Sequence, residues 1–318
     1  MTLDDVIDES YDVIVVGGGA AGLGGALTLA RARRSVMVVD AGEPRNAPAE
    51  AVHGFLTRDG TSPSELLAIG REEVRAYGAH VVPGRVTAAA ADTDDFLVTM
   101  NDGRTARARR LLVTTGLIDH LPDVPGVRER WGRDVLHCPY CHGWEVRDQQ
   151  IGILASGPTA VHQALMFRQW STDVTLFLHT AAPPNAEQRE QLAARGVSVV
   201  EGEVESLVIT DDRLAGVRLS SGTVVPRQAV VIGPRFAARA EILVSLGLEV
   251  TEHGAGLGTH VVADATGLTA VSGVWVAGNI ADPLAQVLGA AAAGAVAARA
   301  INADLMDEEV RLAVGVRP

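Results

Sequence analysis

Residues 11–22 read YDVIVVGGGAAG, and the fold turns on this stretch. The β-branched run Tyr11–Val16 predicts a short strand, because branched side chains pack well on a pleated surface. Gly17-x-Gly19-x-x-Gly22 follows directly, and the helix-favouring residues Ala20–Arg33 come next. A second strand, Ser35–Val39, ends at Asp40. Together these form a βαβ dinucleotide-binding fingerprint in the context that it requires. Gly17 permits the tight turn, Gly19 lets the backbone approach a pyrophosphate, and Gly22 allows close packing of helix on strand. The free N–H groups at Ala20 and Ala21 and the positive end of the helix dipole suit phosphate, and Asp40 suits the ribose hydroxyls. The fingerprint alone does not separate FAD from NAD.

Outward from this unit, Ser62-Pro63-Ser64-Glu65 is a capping box with proline at the first helical position, starting a helix to about Tyr77. Hairpin-like strands are expected around Val81–Val86 and Phe96–Thr99, with a turn at Asn101-Asp102-Gly103. The strand Arg109–Thr114 ends at Thr115-Gly116. Leu117–Gly126 (LIDHLPDVPG) reads as a connector, and a second βαβ unit follows: strand Ile151–Ala155, helix Thr159–Trp170, strand Asp173–Leu178. Another connector near Gly233-Pro234 leads to a helix over Ala237–Leu246, the strand Gly273–Val276, and an Ala-rich helix from about Leu284 to Ala303. Two dinucleotide-fold units and two connectors predict an α/β chain of two Rossmann-like three-layer domains, the second inserted in the first. The expected boundaries are 1–117 with 237–318 for the first domain and 118–236 for the insert.

The formal charge of −12 argues against nucleic acid, which needs clustered cations. No lysine occurs, so Schiff-base chemistry and Walker-type phosphate binding are excluded. No apolar run is long enough to cross a membrane. The N-terminus, MTLDDVIDES, is acidic where a signal peptide would be basic, so the expected compartment is the cytoplasm.

The two cysteines lie in His137-Cys138-Pro139-Tyr140-Cys141-His142-Gly143. A secreted disulfide scaffold would use more cysteines at longer spacings. Zinc would have to draw its tetrahedron from four ligands crowded into this one stretch, so no metal is expected. A redox pair and two buried structural cysteines both remain open from spacing alone. If Cys138 caps a helix with Pro139 at its first position, the dipole favours a thiolate there, the form that disulfide exchange needs.

From Tyr11 to about Arg299 the chain resembles the low-molecular-weight thioredoxin reductase family. The features that carry the resemblance are the fingerprint, Thr114-Thr115-Gly116, the CxxC, and Val274-Trp275-Val276-Ala277-Gly278-Asn279. The resemblance implies FAD as cofactor, with Gly278 and Asn279 near the ribityl chain and pyrophosphate and with Gln286 and Val287 near the isoalloxazine ring. The usual last motif ends Gly-Asp and is followed by an arginine before the glutamine; here those positions are Asn279 and Ala285. The resemblance assigns substrate exchange to Cys138 and reaction with flavin to Cys141. Where thioredoxin reductases place an acid/base aspartate, this chain has His142, whose pKa lies nearer working pH. Roles for His137 and His53 stay open.

The second unit departs from the family's NADPH site. Its loop reads Ala155-Ser156-Gly157-Pro158-Thr159-Ala160, and the segment after the next strand, Leu178-His179-Thr180-Ala181-Ala182-Pro183-Pro184-Asn185, contains no arginine. A 2′-phosphate without a cation forfeits charge-assisted bonds of roughly 1.5–3 kcal/mol each, so NADPH use is disfavoured. CxxC-His with such a site resembles the dithiol oxidases that close the disulfides of gliotoxin and holomycin. That narrower resemblance implies a flavin-dependent thiol:oxygen oxidoreductase of antibiotic biosynthesis. Its substrate would be a small dithiol, dithiolopyrrolone or epidithiodiketopiperazine-like, its acceptor molecular oxygen, and its assembly a homodimer. A disulfide reductase fed by NAD(P)H or a ferredoxin, and a redox sensor without turnover, are the alternatives.

Overall fold

The computed structural model describes residues 9–93 and 95–315. Eight of the ten residues of the acidic stretch MTLDDVIDES that argues against a signal peptide therefore lie outside the described residues, as do the last three residues of the expected first domain. The fingerprint strand β1 (Ser10–Val16) leads through Gly17–Gly19 into α1 (Ala20–Arg31) and back into β2 (Val36–Asp40). Then come α2 (Pro63–Ala76), capped by the Ser62 side chain, which accepts from the Glu65 N–H, and β3 (His80–Pro83), parallel to β2. The strands β4 (Val86–Asp92), β5 (Asp95–Met100) and β6 (Thr105–Val113) form an antiparallel meander. The run Val81–Val86 is thus two strands and not one arm of a hairpin: Pro83-Gly84 breaks it, and the Gly84 N–H is held by the Asp40 carbonyl.

The chain continues through β7 (Leu117–His120), α3 (Val127–Arg130), β8 (Val135–Leu136) and the single-turn α4 (Pro139–His142). A second parallel unit follows: β9 (Ile151–Leu154), α5 (Ala160–Phe167), β10 (Val174–Phe177), α6 (Ala186–Ala194) and β11 (Ser198–Val200). An antiparallel trio, β12 (Val204–Thr210), β13 (Arg213–Leu219) and β14 (Val224–Pro226), precedes β15 (Ala229–Ile232), which inserts between β9 and β8. The return passes through β16 (Arg235–Ala238), α7 (Glu241–Ser245), the hairpin β17 (Val250–Glu252) and β18 (Thr259–Val261), and β19 (Val274–Val276). It ends in α8 (Val287–Ala313).

Three corrections to the expected elements concern the connectors and this return. Both connectors contain strand: β7 and β16 pair antiparallel, Leu117 opposite Ala238 and His120 opposite Arg235. Each is too short for a visible period and finds its partner far along the chain, so no local pattern announces it. The ribbon also claims Ala237 and Ala238, so α7 starts only at Glu241. At the other end α8 runs beyond Ala303, because Asp304 and Glu308 pair with Arg110, and Glu308 and Glu309 with Arg109.

The first sheet runs β3-β2-β1-β6-β5-β4, with β19 alongside the far end of β6, so strands from both ends of the chain complete it. Its strands alternate faces as period-two geometry demands. Val13, Val15, Val38 and Leu112 pack under the helices, while Ile14, Val16, Met37 and Leu111 pack towards the meander and α7. The second sheet, β11-β10-β9-β15-β8, has its own cores on both faces.

α1 lies directly on α8 through glycine. A methyl on Gly294 would sit 1.9 Å from the Ala21 carbonyl oxygen. Gly294→Ala is therefore expected to destabilise the fold by about 1–3 kcal/mol, the usual cost of overpacking a rigid contact. Urea denaturation checks this, and an unchanged midpoint would show that the helices separate freely.

Candidate active site

A cavity of about 770 Å³ lies where the two units meet. One wall is the fingerprint. Gly17 holds φ +103° against Thr114, a conformation that L side chains rarely adopt. Gly19 faces open space, and Gly18 N–H donates to Asp40 Oδ1 at 3.1 Å, which orients the carboxylate. Gly22 does not line the cavity; it lies beneath it, where a Cβ would meet the Gly17 carbonyl oxygen at 1.9 Å.

The remaining wall comes from distant parts of the chain. Thr115 and Gly116 arrive at the end of β6, Gly278 and Asn279 after β19, and Gln286 and Val287 at the start of α8. The Asn279 amide donates to the carbonyls of Asp282, Pro283 and Ala285, which pins the turn into α8 and leaves Oδ1 as what the side chain can offer a ligand.

Cys138 and Cys141 also line this cavity, joined as a disulfide with their Cα atoms 5.2 Å apart. Cys138 caps α4, its Sγ accepting from the Cys141 N–H at 3.2 Å, and Gln286 Nε2 approaches the same sulfur at 3.9 Å. His142, the last residue of α4, has both ring nitrogens buried without a hydrogen-bond partner. Burial lowers its pKa below the ordinary 6.5, reinforced by His53 and opposed by the Glu145 carboxylate. The ring is therefore mostly neutral at neutral pH, and no group of the protein is hydrogen-bonded to either nitrogen.

Sequence reasoning did not single out Arg45, Asp119 or Glu145. Arg45 forks onto Asp119 with two bonds of 2.7 Å and covers the ring of Phe236, which His137 meets edge-on. These contacts tie the loop after β2 to the ribbon beside the disulfide. Glu145, three residues past His142, meets His53 at 3.4 Å. Its helical spacing from His142 was the signal available for it; nothing local marks Arg45.

The residues present fit a dinucleotide. α1 and α8 both begin at the cavity, and neither has a capping side chain or an acidic residue in its first turn. Two such N-termini leave N–H groups and positive dipole ends for an anion. Gly17–Ala21 would hold the diphosphate and Asp40 a ribose; the α8 start and the disulfide would flank the reactive ring.

A second cavity, about 430 Å³, opens at the C-terminal ends of β9 and β10. Its lining includes Ser156, Gly157, Pro158, Thr180 and Gln188 and contains no arginine or histidine among the described residues. The Ser156 hydroxyl donates to the Gly233 carbonyl and accepts its N–H, both at 3.1 Å. Arg189 donates to the Pro184 carbonyl.

The pyridine nucleotide-disulphide oxidoreductase family profile matches residues 11–307. The chain is 31% identical over 309 residues to thioredoxin reductase sirT of Leptosphaeria maculans, covering 92% of this chain and 93% of the relative. It is 30% identical over 314 residues to thioredoxin reductase tcpT of Claviceps purpurea, covering 93% and 94%. Among solved structures it is similar to HlmI, with 48% identity and a TM-score of 0.90 over 97% of this chain and 96% of that one. The fold is the thioredoxin reductase-like FAD/NAD(P)-binding α/β fold.

His137 offers a test of the site's electrostatics. Burial first, then Arg45, lowers its pKa from 6.5 to about 4. The unfolded chain therefore binds a proton at His137 between those values while the folded chain does not. Stability should fall as pH drops from about 6.5 towards 4, by up to about 3 kcal/mol from this residue. His137→Gln should flatten that part of the denaturation-versus-pH curve, and an unchanged slope would contradict the assignment.

Proposed function

The chain belongs to the pyridine nucleotide-disulphide oxidoreductase family, and we propose that it is a dithiol oxidase closing the disulfide of a small dithiol natural product. The flavin, when bound, supplies the two-electron carrier between the reduced cysteine pair and molecular oxygen, which leaves as hydrogen peroxide. The net reaction is R(SH)2 + O2 → RS2 + H2O2.

The protein's own residues handle the sulfur chemistry. His142, neutral and unpartnered, takes the proton of the first substrate thiol. The thiolate attacks Cys138, breaking the Cys138–Cys141 bond and forming a mixed disulfide, and the electron pair goes to Cys141. His142, having passed the first proton to Cys141, takes the proton of the second substrate thiol; that sulfur attacks the first, closing the substrate's disulfide and releasing Cys138, which receives the second proton. Cys138 and Cys141 are left as a dithiol holding the two electrons.

The contrast between the two cavities carries this reading. The first gathers the disulfide, a neutral histidine and two uncapped helix N-termini. Among the described residues, the second has no cation in its lining for the 2′-phosphate of NADPH. Arginine as the only strongly basic residue type fits a high-GC bacterial source and, with the resemblance stated above, favours a dithiolopyrrolone such as holomycin. The names of the two fungal relatives keep an NADPH- or ferredoxin-fed disulfide reductase as the second reading.

Turnover in air with a panel of reduced small dithiols should yield disulfide and peroxide in equal amounts, read by mass spectrometry and a peroxide assay. Cys138→Ser should abolish both while FAD stays bound; loss of FAD in that variant would contradict the exchange role. His142→Ala should lower the plateau rate by roughly a hundredfold or more. It should also remove the acid limb of the pH–rate profile, where protonation silences the base. A profile that keeps this limb would exclude His142.

A further inference from the structure

Glu145 and His53 take no part in the steps just described, yet they adjoin the base. His142 ends α4, and Glu145 follows three residues on in the turn beyond it, where the Val146 N–H donates to the His142 carbonyl at 3.4 Å. Residues so spaced share a helix face. Glu145 Oε1 lies 3.4 Å from His53 Nε2, and His53 Nδ1 lies 3.3 Å from Asp59 Oδ2. Asp59 is itself fixed, Oδ1 accepting from the Gly54 N–H at 2.8 Å. The loop that carries His53 is closed at its base: the Val52 N–H donates to the Thr61 carbonyl at 2.8 Å and the Gly60 N–H to the Val52 carbonyl at 2.9 Å. His53 thus reaches from a closed loop of one unit to the segment that carries the disulfide in the other.

We propose that Glu145 is the carboxylate that stabilises the imidazolium formed on His142 during thiol exchange, and that His53, braced by Asp59, is the positioning residue that keeps Glu145 there. This rests on the disulfide being the exchanging group, as read above, but not on the direction of electron flow. The arrangement follows the logic of a catalytic base oriented by a third group. In the exchange, an incoming thiol gives its proton to His142 and its sulfur bonds to Cys138. The Cys138–Cys141 bond breaks with its electron pair going to Cys141, which recovers the proton from His142. One S–S bond replaces another, with no net oxidation. Between those proton transfers a cation sits on a ring whose nitrogens are buried, where an unbalanced charge is costly. The Glu145 side chain is 40% exposed, so without a partner it would turn to water; the His53 contact opposes that. The charged groups that act on His142 are Glu145 and His53, and His142 in turn acts on His137.

The test uses the FAD-loaded protein and 2-mercaptoethanol, a monothiol. Formation of the Cys138 mixed disulfide is followed by rapid acid quench and mass spectrometry from about pH 5 to about pH 9, spanning the imidazole range. Neither oxygen nor nicotinamide takes part, so failure here and failure of the oxidase reading are read separately. Glu145→Gln should slow exchange at neutral pH roughly tenfold and move the acid limb down by about one pH unit, since His142 loses basicity. His53→Ala should slow exchange likewise, with a smaller shift of the acid limb, because His53 itself lowers the His142 pKa. His53→Gln, which keeps an N–H donor for Glu145, should recover most of the rate. An unchanged rate and acid limb in Glu145→Gln would overturn the proposal. A wild-type profile in His53→Ala, or a slowing that His53→Gln fails to relieve, would overturn the positioning role.

Discussion

The contact of α1 with α8 governs the site. Gly24 and Gly25 on α1 face Ala291 and Gly294 on α8, and Gly294 faces the Ala21 carbonyl in return. With no side chains between them, two helices from opposite ends of the chain begin side by side over the central strands. Both N-termini then open on one cavity, uncapped. Unsatisfied N–H groups there would be a liability in an empty fold, and they make sense as the seat of an anionic cofactor.

The disulfide reaches that cavity by a different route. The β7–β16 ribbon carries the chain out and back, and the Arg45–Asp119 fork fastens it to the loop after β2. Gly132 approaches Pro48 so closely that a Cβ would fall 2.7 Å from the proline ring. Gln286 touches Cys138, and Glu145 touches His53. These contacts hold the cysteine pair against the mouth of the cavity.

Local features were legible in the sequence and distant pairings were not. The fingerprint could be read because strand, glycines, helix and Asp40 are contiguous and each has one steric reason. The helix start at Ser62-Pro63, where the Ser62 side chain accepts from the Glu65 N–H, and the CxxC were visible for the same reason. The ribbon was missed because β7 and β16 are four residues each and find each other only in three dimensions. The extension of α8 was missed because Arg109 and Arg110, which pair with its acidic residues, lie far back on β6. In the site, Arg45 lies in a proline-containing loop with no pattern of its own, whereas Glu145 follows His142 at helical spacing and could have been weighed.

In the proposed reaction electrons enter at the cysteine pair and leave without a nicotinamide. Anaerobic mixing of the FAD-loaded protein with a small dithiol, and separately with NADPH, tests this most directly through the flavin absorbance. The account predicts bleaching by the dithiol alone, recovery when air is admitted with peroxide formed, and no rapid bleaching by NADPH. Rapid bleaching by NADPH would contradict it.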